Sequence, residues 1–266
     1  MKTSLASIGI LAITALFPAS VMAEAETETQ SNALGSPNPQ QILYVGNSYQ
    51  YYNNSLHNYV KRMAEAAYPD TADQLKSKSV TISGAYLSQH EVKNYLFPGA
   101  LGFPNPFDVV VLQGHSAAAL SDEKQQEFRD AVLRHHNAIE ATGAETVLYM
   151  TPAYSEDHDS YDAGMTDKIE ELYTSVGNEI GAPVIPVGLA FQNAYEQRPE
   201  LALHVDYDGS HPSPEGSYLA AATVFATLYD TSVVGNPYTY YGRIDEDTAA
   251  FLQQVAEDTV AEYNRR

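Results

Sequence analysis

The chain has 266 residues, no cysteine and a formal net charge of −20. The length allows one large domain or two small ones, and the lack of cysteine excludes disulfides, thiol nucleophiles and cysteine-based metal sites. So negative a chain repels nucleic acids and anionic membrane surfaces, and we expect neither as a partner.

The first 23 residues have the pattern of a secretory signal peptide. Lys2 precedes an apolar run that ends at Phe17, and small residues allow cleavage after Ala23. The run is too short and too interrupted to anchor the chain in a membrane. Residues 24–40 are acidic and then rich in Ser, Asn and Pro, which is typical of a flexible leader. We predict a secreted or periplasmic protein without a membrane span, with one domain over residues 41–266.

Strands and helices alternate along this domain. The predicted strands cover 42–46, 79–84, 107–114, 145–150 and 182–188. The predicted helices cover 50–67, the segment between Ser121 and Gly143, 161–180, 189–196, 214–229 and 245–264. The stretch "FDVVVLQG" is typical of a parallel strand buried on both faces. The alternation predicts an α/β domain with a mostly parallel sheet, whose active site lies beyond the carboxyl ends of the strands.

Unusual residues follow several of these strands. Gly46-Asn47-Ser48 ends the first, Ser83-Gly84 ends the second, and "QGHS" (113–116) ends the third. Late in the chain, "DYDGSHPSPEGSYLAA" places Asp208 and His211 three residues apart. A serine nucleophile needs a base within hydrogen-bond reach, usually a histidine that a carboxylate orients. Ser48, His211 and Asp208 could form such a set.

Each of these residues has an alternative role. Ser48 could cap the helix that follows it, and Asp208 could form a turn beside Gly209. His211 could be a solvated loop residue, and Asp206 competes with Asp208 for the role of orienting acid.

Three other histidines suit structural positions better than catalysis. We expect His90 to be structural or to lie at a pocket rim. His135 and His136 fall in the middle of a predicted helix, where we expect them at the surface.

The order and spacing of these motifs resemble those of the SGNH (GDSL-type) hydrolase superfamily. The stretches "GNSY", "VVVLQ" and "DGSHPSPEGSYLAA" look most like its exported branch. The resemblance spans about Gln41 to Tyr229 and implies a three-layer α/β/α fold.

The resemblance also implies roles for individual residues. Ser48 matches the nucleophile, and Asp208 and His211 match the orienting acid and the general base. The backbone N–H groups of Ser48 and Gly84 match two donors of the oxyanion hole. The third block departs from the family, because Gln113 stands where an asparagine usually donates. We assign Gln113 that role, with His115 as its competitor.

Aromatic residues cluster near the same strand ends. Tyr49 and Tyr52 follow Ser48, Tyr86 follows Gly84, and His115 follows the third strand. We expect these four residues to contact the substrate, because tyrosine offers both an apolar face and a hydroxyl to a sugar or acyl group.

The acidic stretch "EDHDSYDAGMTD" (156–167) lacks the spacing of an EF-hand loop. We interpret it as a solvated loop, with a weak calcium site as the alternative. No spacing suggests catalytic zinc, and we predict neither a metal nor another cofactor.

The leading hypothesis is an exported serine esterase that cleaves small acyl groups, above all acetyl, from carbohydrate. A lipase or lysophospholipase-like esterase is the second hypothesis, although we see no long apolar loop to build a lid. A non-catalytic glycan-binding protein on the same fold is the third, supported by the altered third block alone. The substrate is a small molecule or glycan ester in each enzyme hypothesis, and the sequence leaves the oligomeric state open.

Overall fold

The computed structural model describes Met1 and residues 34–266, so the predicted signal peptide and most of the predicted leader lie outside the described residues. The strands are β1 (Gln41–Gly46), β2 (Lys76–Thr81), β3 (Val109–Gln113), β4 (Glu145–Tyr149) and β5 (Val184–Ile185). The helices are α1 (Ser48–Tyr51), α2 (Leu56–Ala67), α3 (Asp122–Glu140), α4 (Met165–Ile180), α5 (Val187–Gln197), α6 (Pro214–Leu228) and α7 (Glu246–Tyr263).

All five strands pair in parallel, in the order β2-β1-β3-β4-β5. The chain therefore moves outward in one direction from β1 to β2 and in the other direction from β3 to β5. The strand order reverses between β1 and β3, and in open α/β sheets ligands bind beyond the carboxyl ends of the strands at such a point. The predicted fold class, an α/β domain with a mostly parallel sheet, is confirmed.

Alternate residues of β1 serve the two faces of the sheet, as the two-residue period of a strand requires. Ile42 and Tyr44 pack with α2, α5, α6 and α7, whereas Leu43 and Val45 pack with α3 and α4. Both sets are almost fully buried. The helices thus form a layer on each face, which is the predicted three-layer α/β/α arrangement.

The largest difference from the sequence-based expectations lies in the predicted helix 50–67. It is split into α1 and α2 by a 3-10 turn over Tyr52–Asn54. Asn53, Asn54 and Ser55 have φ angles of 49°, 79° and 66°, in the left-handed region that L-residues rarely occupy. The apolar spacing of Leu56, Val60 and Met63 is that of α2 alone, and it carries no information about the residues before it.

Other boundaries differ by a few residues. Strand β2 begins and ends three residues before the predicted 79–84. Strand β5 has only two residues, because α5 begins at Val187. His135 was predicted at the surface, but it is 3% exposed, and its Nε2–H donates to the carbonyl of Leu87 at 3.1 Å.

A cleft of about 570 Å³ lies at the amino ends of β1 and β2, away from the carboxyl ends of the strands. Three lysines line it: Lys61, Lys76 and Lys78. Lys76 and Lys78 belong to the edge strand β2, where lysines hinder pairing with a strand of another chain. Among the residues that the structure describes, no helix is long and apolar enough to cross a membrane.

Candidate active site

The turn after β1 is built around close contact between two strand ends. A Cβ atom at Gly46 would lie 2.2 Å from Oε1 of Gln113, so any side chain there would displace the Gln113 amide. Asn47 is the N-cap of α1, because its Oδ1 accepts from the N–H of Tyr49 at 3.2 Å. The cap is therefore Asn47 and not Ser48, which leaves the Ser48 hydroxyl available for another partner.

That partner is His211. Ser48 Oγ lies 2.7 Å from His211 Nε2, and His211 Nδ1 lies 2.7 Å from Oδ2 of Asp208. A carboxylate can only accept, so Nδ1 donates its hydrogen to Asp208, and in the neutral imidazole Nε2 then accepts from the Ser48 hydroxyl. Ser48, His211 and Asp208 thus form a hydrogen-bonded relay. Ser48 and His211 are 163 positions apart in the sequence.

The loop that carries Asp208 and His211 is closed by its own backbone. The N–H of Gly209 donates to the carbonyl of Val205 at 3.0 Å, and the N–H of Val205 donates to the carbonyl of His211 at 2.9 Å. Gly209 has a φ of 61°, and a Cβ atom there would lie 2.5 Å from Oγ of Ser155. This turn brings the imidazole and the carboxylate to the same side of the loop.

Asp208 is held as a carboxylate. Its Oδ1 accepts from the N–H groups of Ser210 at 2.9 Å and His211 at 3.0 Å, while Oδ2 faces the imidazole. Partial burial by itself would raise the pKa of Asp208, but these N–H groups and the His211 ring outweigh it and lower the pKa. Asp206 is exposed and lies outside the relay.

The sequence-based prediction assigns the backbone N–H groups of Ser48 and Gly84 to the oxyanion hole. The N–H of Ser48 has no partner inside α1, because it belongs to the first turn. With four residues, α1 is too short for a sizeable helix dipole. Gly84 has a φ of 64° in a turn that the N–H of Ala85 closes on the carbonyl of Ile82 at 3.2 Å. Tyr51 ties this turn to α1 by donating its hydroxyl to Ser83 Oγ at 3.0 Å.

Gln113 does not present a free donor. It is 1% exposed, and its Nε2 donates to Oδ1 of Asn47 at 3.0 Å and to the carbonyl of Gly114. Its Oε1 accepts from the N–H of Asn47 at 2.9 Å. Because both amide hydrogens are engaged, the structure contradicts the prediction that Gln113 donates to an oxyanion. Its observed contacts instead hold the turn before Ser48.

The predicted aromatic wall is present in part. The ring of Tyr52 stacks on His211, with centroids 4.2 Å apart and planes at 8°, and Tyr86 stacks on His115 at 4.3 Å. Tyr49 is 5% exposed, and its hydroxyl lies 2.6 Å from Ser210 Oγ. Tyr49 was predicted to contact substrate, but its burial leaves it as support beneath His211.

His115 is the predicted competitor of Gln113 in the oxyanion hole and a predicted substrate contact. Its Nδ1 accepts from the N–H of Ala117 at 3.0 Å. Burial lowers its pKa, the nearby Lys124 lowers it further, and Glu127 opposes them. The ring is therefore a neutral, stacked surface.

Some neighbours of the site carry no sequence signal that we recognised. Tyr154 stacks on His158 at 3.8 Å, and its hydroxyl lies 2.8 Å from Ser116 Oγ.

His90, as predicted, is structural: it is 1% exposed, and its Nε2–H donates to the carbonyl of Gly46 at 2.9 Å.

The acidic stretch 156–167 forms ordinary loop contacts. Asp162 accepts from the N–H of Gly164 at 2.9 Å and pairs with Lys168. Within the described residues, no group of three or more His, Asp or Glu side chains is arranged to hold a metal ion.

The comparisons that found matches are with solved structures, since no family model and no curated protein matches the sequence. A DUF4886 family protein from Bacteroides uniformis aligns with 84% of this chain and 95% of its own, at 20% identity and a TM-score of 0.62. A candidate SGNH hydrolase from Slackia heliotrinireducens aligns with 72% of this chain and all of its own, at 25% identity and a TM-score of 0.56.

A third neighbour is a catalytic mutant of an acetylxylan esterase from Geobacillus stearothermophilus. It aligns with 73% of this chain and 96% of its own, at 17% identity and a TM-score of 0.54. The chain thus has the fold of SGNH-like hydrolases. At such identities the likeness establishes the fold, and the function has to be argued from the site.

Proposed function

We propose that this protein is a serine esterase that hydrolyses small acyl esters, with acetyl esters of carbohydrate as the substrate class. The observation that carries the proposal is the relay, in which Ser48 Oγ, His211 and Asp208 are joined by two hydrogen bonds of 2.7 Å. These are the contacts that nucleophilic catalysis by serine requires. The position of the relay at the reversal of strand order adds support.

The proposed reaction begins at Ser48. Its oxygen attacks the ester carbonyl carbon while the hydroxyl proton passes to His211 Nε2. The carboxylate of Asp208 stabilises the imidazolium through Nδ1–H. The N–H groups of Ser48 and Gly84 are the proposed donors to the oxyanion.

Collapse of the tetrahedral intermediate breaks the bond to the leaving alcohol, which takes the proton from His211 Nε2. A water molecule then attacks the acyl-serine, gives a proton to His211, and releases the carboxylic acid. The proton returns to Ser48 when the acyl–oxygen bond breaks, so the enzyme is regenerated.

The carbohydrate part of the proposal has separate support. The solved neighbours include acetylxylan esterases, and the ring of Tyr52 stacks on His211 of the relay. Aromatic faces suit sugar rings, which have apolar and hydroxyl-bearing sides. We also propose that residues 1–23 direct export, so that the enzyme works in the periplasm or outside the cell.

The test is hydrolysis of a chromogenic acetate and of acetylated xylo-oligosaccharide by the wild type, Ser48→Ala and Asp208→Asn. We expect Ser48→Ala to lose the activity, and Asp208→Asn to lower kcat by about 10⁴-fold, because the imidazole loses its orientation and its tautomer. Labelling of wild type, but not of Ser48→Ala, by a serine-reactive phosphonate would identify the nucleophile.

Two results would contradict the proposal. Hydrolysis that survives Ser48→Ala would remove the mechanism. Glycan binding without any hydrolysis by the wild type would favour the non-catalytic alternative, for which the engaged amide of Gln113 is the specific observation.

A further inference from the structure

The break between α1 and α2 has an unusual backbone. Asn53, Asn54 and Ser55 all have positive φ angles, at 49°, 79° and 66°. Residues other than glycine occupy this region at a cost of about 1–2 kcal/mol each, with asparagine the most tolerant. Such conformations persist where the surrounding contacts over-determine them, so the contacts of this segment should show what maintains it.

The side chain of Asn53 makes two of those contacts. Its Nδ2 donates to the carbonyl of Pro212 at 2.8 Å and to Oγ of Ser217 at 2.8 Å. Both amide hydrogens are therefore used. Pro212 directly follows His211, and Ser217 lies in α6, so one amide group joins the histidine loop to the helix after it.

Tyr52 makes the third contact. Its ring lies flat on the imidazole of His211, with centroids 4.2 Å apart and planes at 8°. The segment 52–53 thus covers one face of the imidazole and holds the backbone of the next residue. Ser48 lies on the same short stretch of chain, and its Oγ contacts Nε2 of that imidazole.

We propose that Tyr52 and Asn53 form a clamp for the histidine loop, with Asn53 as a positioning residue that sets the place of His211 relative to Ser48. The proposal rests on the proposed function of the relay. Without the Asn53 amide, the carbonyl of Pro212 loses its hydrogen bond to the segment that carries the nucleophile, and the side-chain contacts of Tyr49 and Tyr52 with the loop remain. A displacement of about 1 Å between reacting groups can lower a rate by about 100-fold.

The test compares substitutions that separate the side chain from the backbone. Asn53→Gly keeps the left-handed backbone and removes the amide, while Asn53→Asp keeps the shape but cannot donate to the Pro212 carbonyl. Asn54→Gly is the matched control, because Asn54 is left-handed and exposed, and its side chain donates no hydrogen bond within the described residues.

The readouts are kcat and KM for 4-nitrophenyl acetate, with active sites counted by phosphonate labelling, together with the thermal unfolding midpoint. We expect Asn53→Gly and Asn53→Asp to lower kcat per active site by about 10–100-fold, with KM within about twofold of wild type. We expect Asn54→Gly to match wild type. A kcat for both Asn53 variants equal to that of Asn54→Gly would overturn the clamp, and so would a loss of unfolding midpoint without a change in kcat.

A second readout does not depend on hydrolysis. Proton NMR detects the hydrogen shared by His211 Nδ1 and Asp208, assigned by its disappearance in Asp208→Asn. We expect this signal to broaden or vanish in Asn53→Gly and to persist in Asn54→Gly. If the wild type lacks Ser48-dependent hydrolysis, the proposed function fails, and an unchanged signal in Asn53→Gly then rejects the clamp as well.

Discussion

Gly46→Ala tests the close approach of β1 and β3 beneath the relay. The added Cβ would lie 2.2 Å from Oε1 and 3.0 Å from Cδ of Gln113, so the Gln113 side chain must move. Moving it breaks the bonds of 2.9 Å and 3.0 Å with Asn47. Each such bond contributes about 0.5–1.5 kcal/mol, and an unpaired buried group costs about 1–3 kcal/mol.

The expected loss is therefore about 2–4 kcal/mol in the free energy of unfolding, after an opposing gain of about 0.4–1 kcal/mol from the stiffer unfolded chain. Urea unfolding can be followed by far-UV circular dichroism and by tyrosine fluorescence, since the chain has twenty tyrosines and no tryptophan. Gly164→Ala is the control, because its added Cβ would meet only Oδ1 of Asp162, at 3.5 Å.

A double-mutant cycle identifies the cause of the loss. In a Gln113→Ala background the amide is gone, and Gly46→Ala should cost at least about 1 kcal/mol less than in the wild type. Equal costs in the two backgrounds would refute the steric explanation, as would a loss in the wild type below about 1 kcal/mol.

Two further predictions concern stability. Burial, which outweighs the hydrogen bond to Leu87, lowers the pKa of His135 from its ordinary 6.5 to about 4. Between these values the unfolded chain binds a proton that the folded chain does not, so stability falls as the pH drops from 6.5 towards 4. At pH 4.5 this lost stability is about 2–3 kcal/mol. Urea unfolding at pH 7 and pH 4.5 should therefore show a smaller difference in the free energy of unfolding for His135→Gln than for the wild type. An identical difference in the two proteins would contradict the prediction. At Gly216 an added Cβ would lie 2.0 Å from the carbonyl oxygen of Leu203. We expect Gly216→Ala to cost about 3 kcal/mol or more, because backbone must move; a thermal unfolding midpoint within about 2 °C of wild type would count against this.

The elements that could be predicted are those whose local pattern has one explanation. Strand β3 is a continuous β-branched run, and α3 carries Ser121 as its cap and acids in its first turn. The break at Tyr52–Ser55 could not be predicted in this way. Of its left-handed residues, Asn53 is held by hydrogen bonds to Pro212 and Ser217, more than 150 positions away.

The roles of the buried polar residues also depend on contacts that the local sequence does not show. The composition of α3 places His135 and His136 on a polar helix, and only the neighbouring Leu87 segment decides that His135 is covered. For Gln113 the family pattern predicts a donor to the substrate. The bonds with Asn47 show that its amide is used inside the protein.

The sequence by itself determined the alternation of strands and helices, the parallel sheet, and the pair of motifs that hold Ser48 and His211, because periodicity, caps and short spacings are local properties. Tertiary structure alone decided which groups meet. The pairing of β1 with β3 closed Gln113 onto the turn before Ser48, and the return of the chain after α5 brought Asp208 and His211 to it. Contacts between distant parts of the chain depend on how the layers pack, and packing is a property of the whole domain.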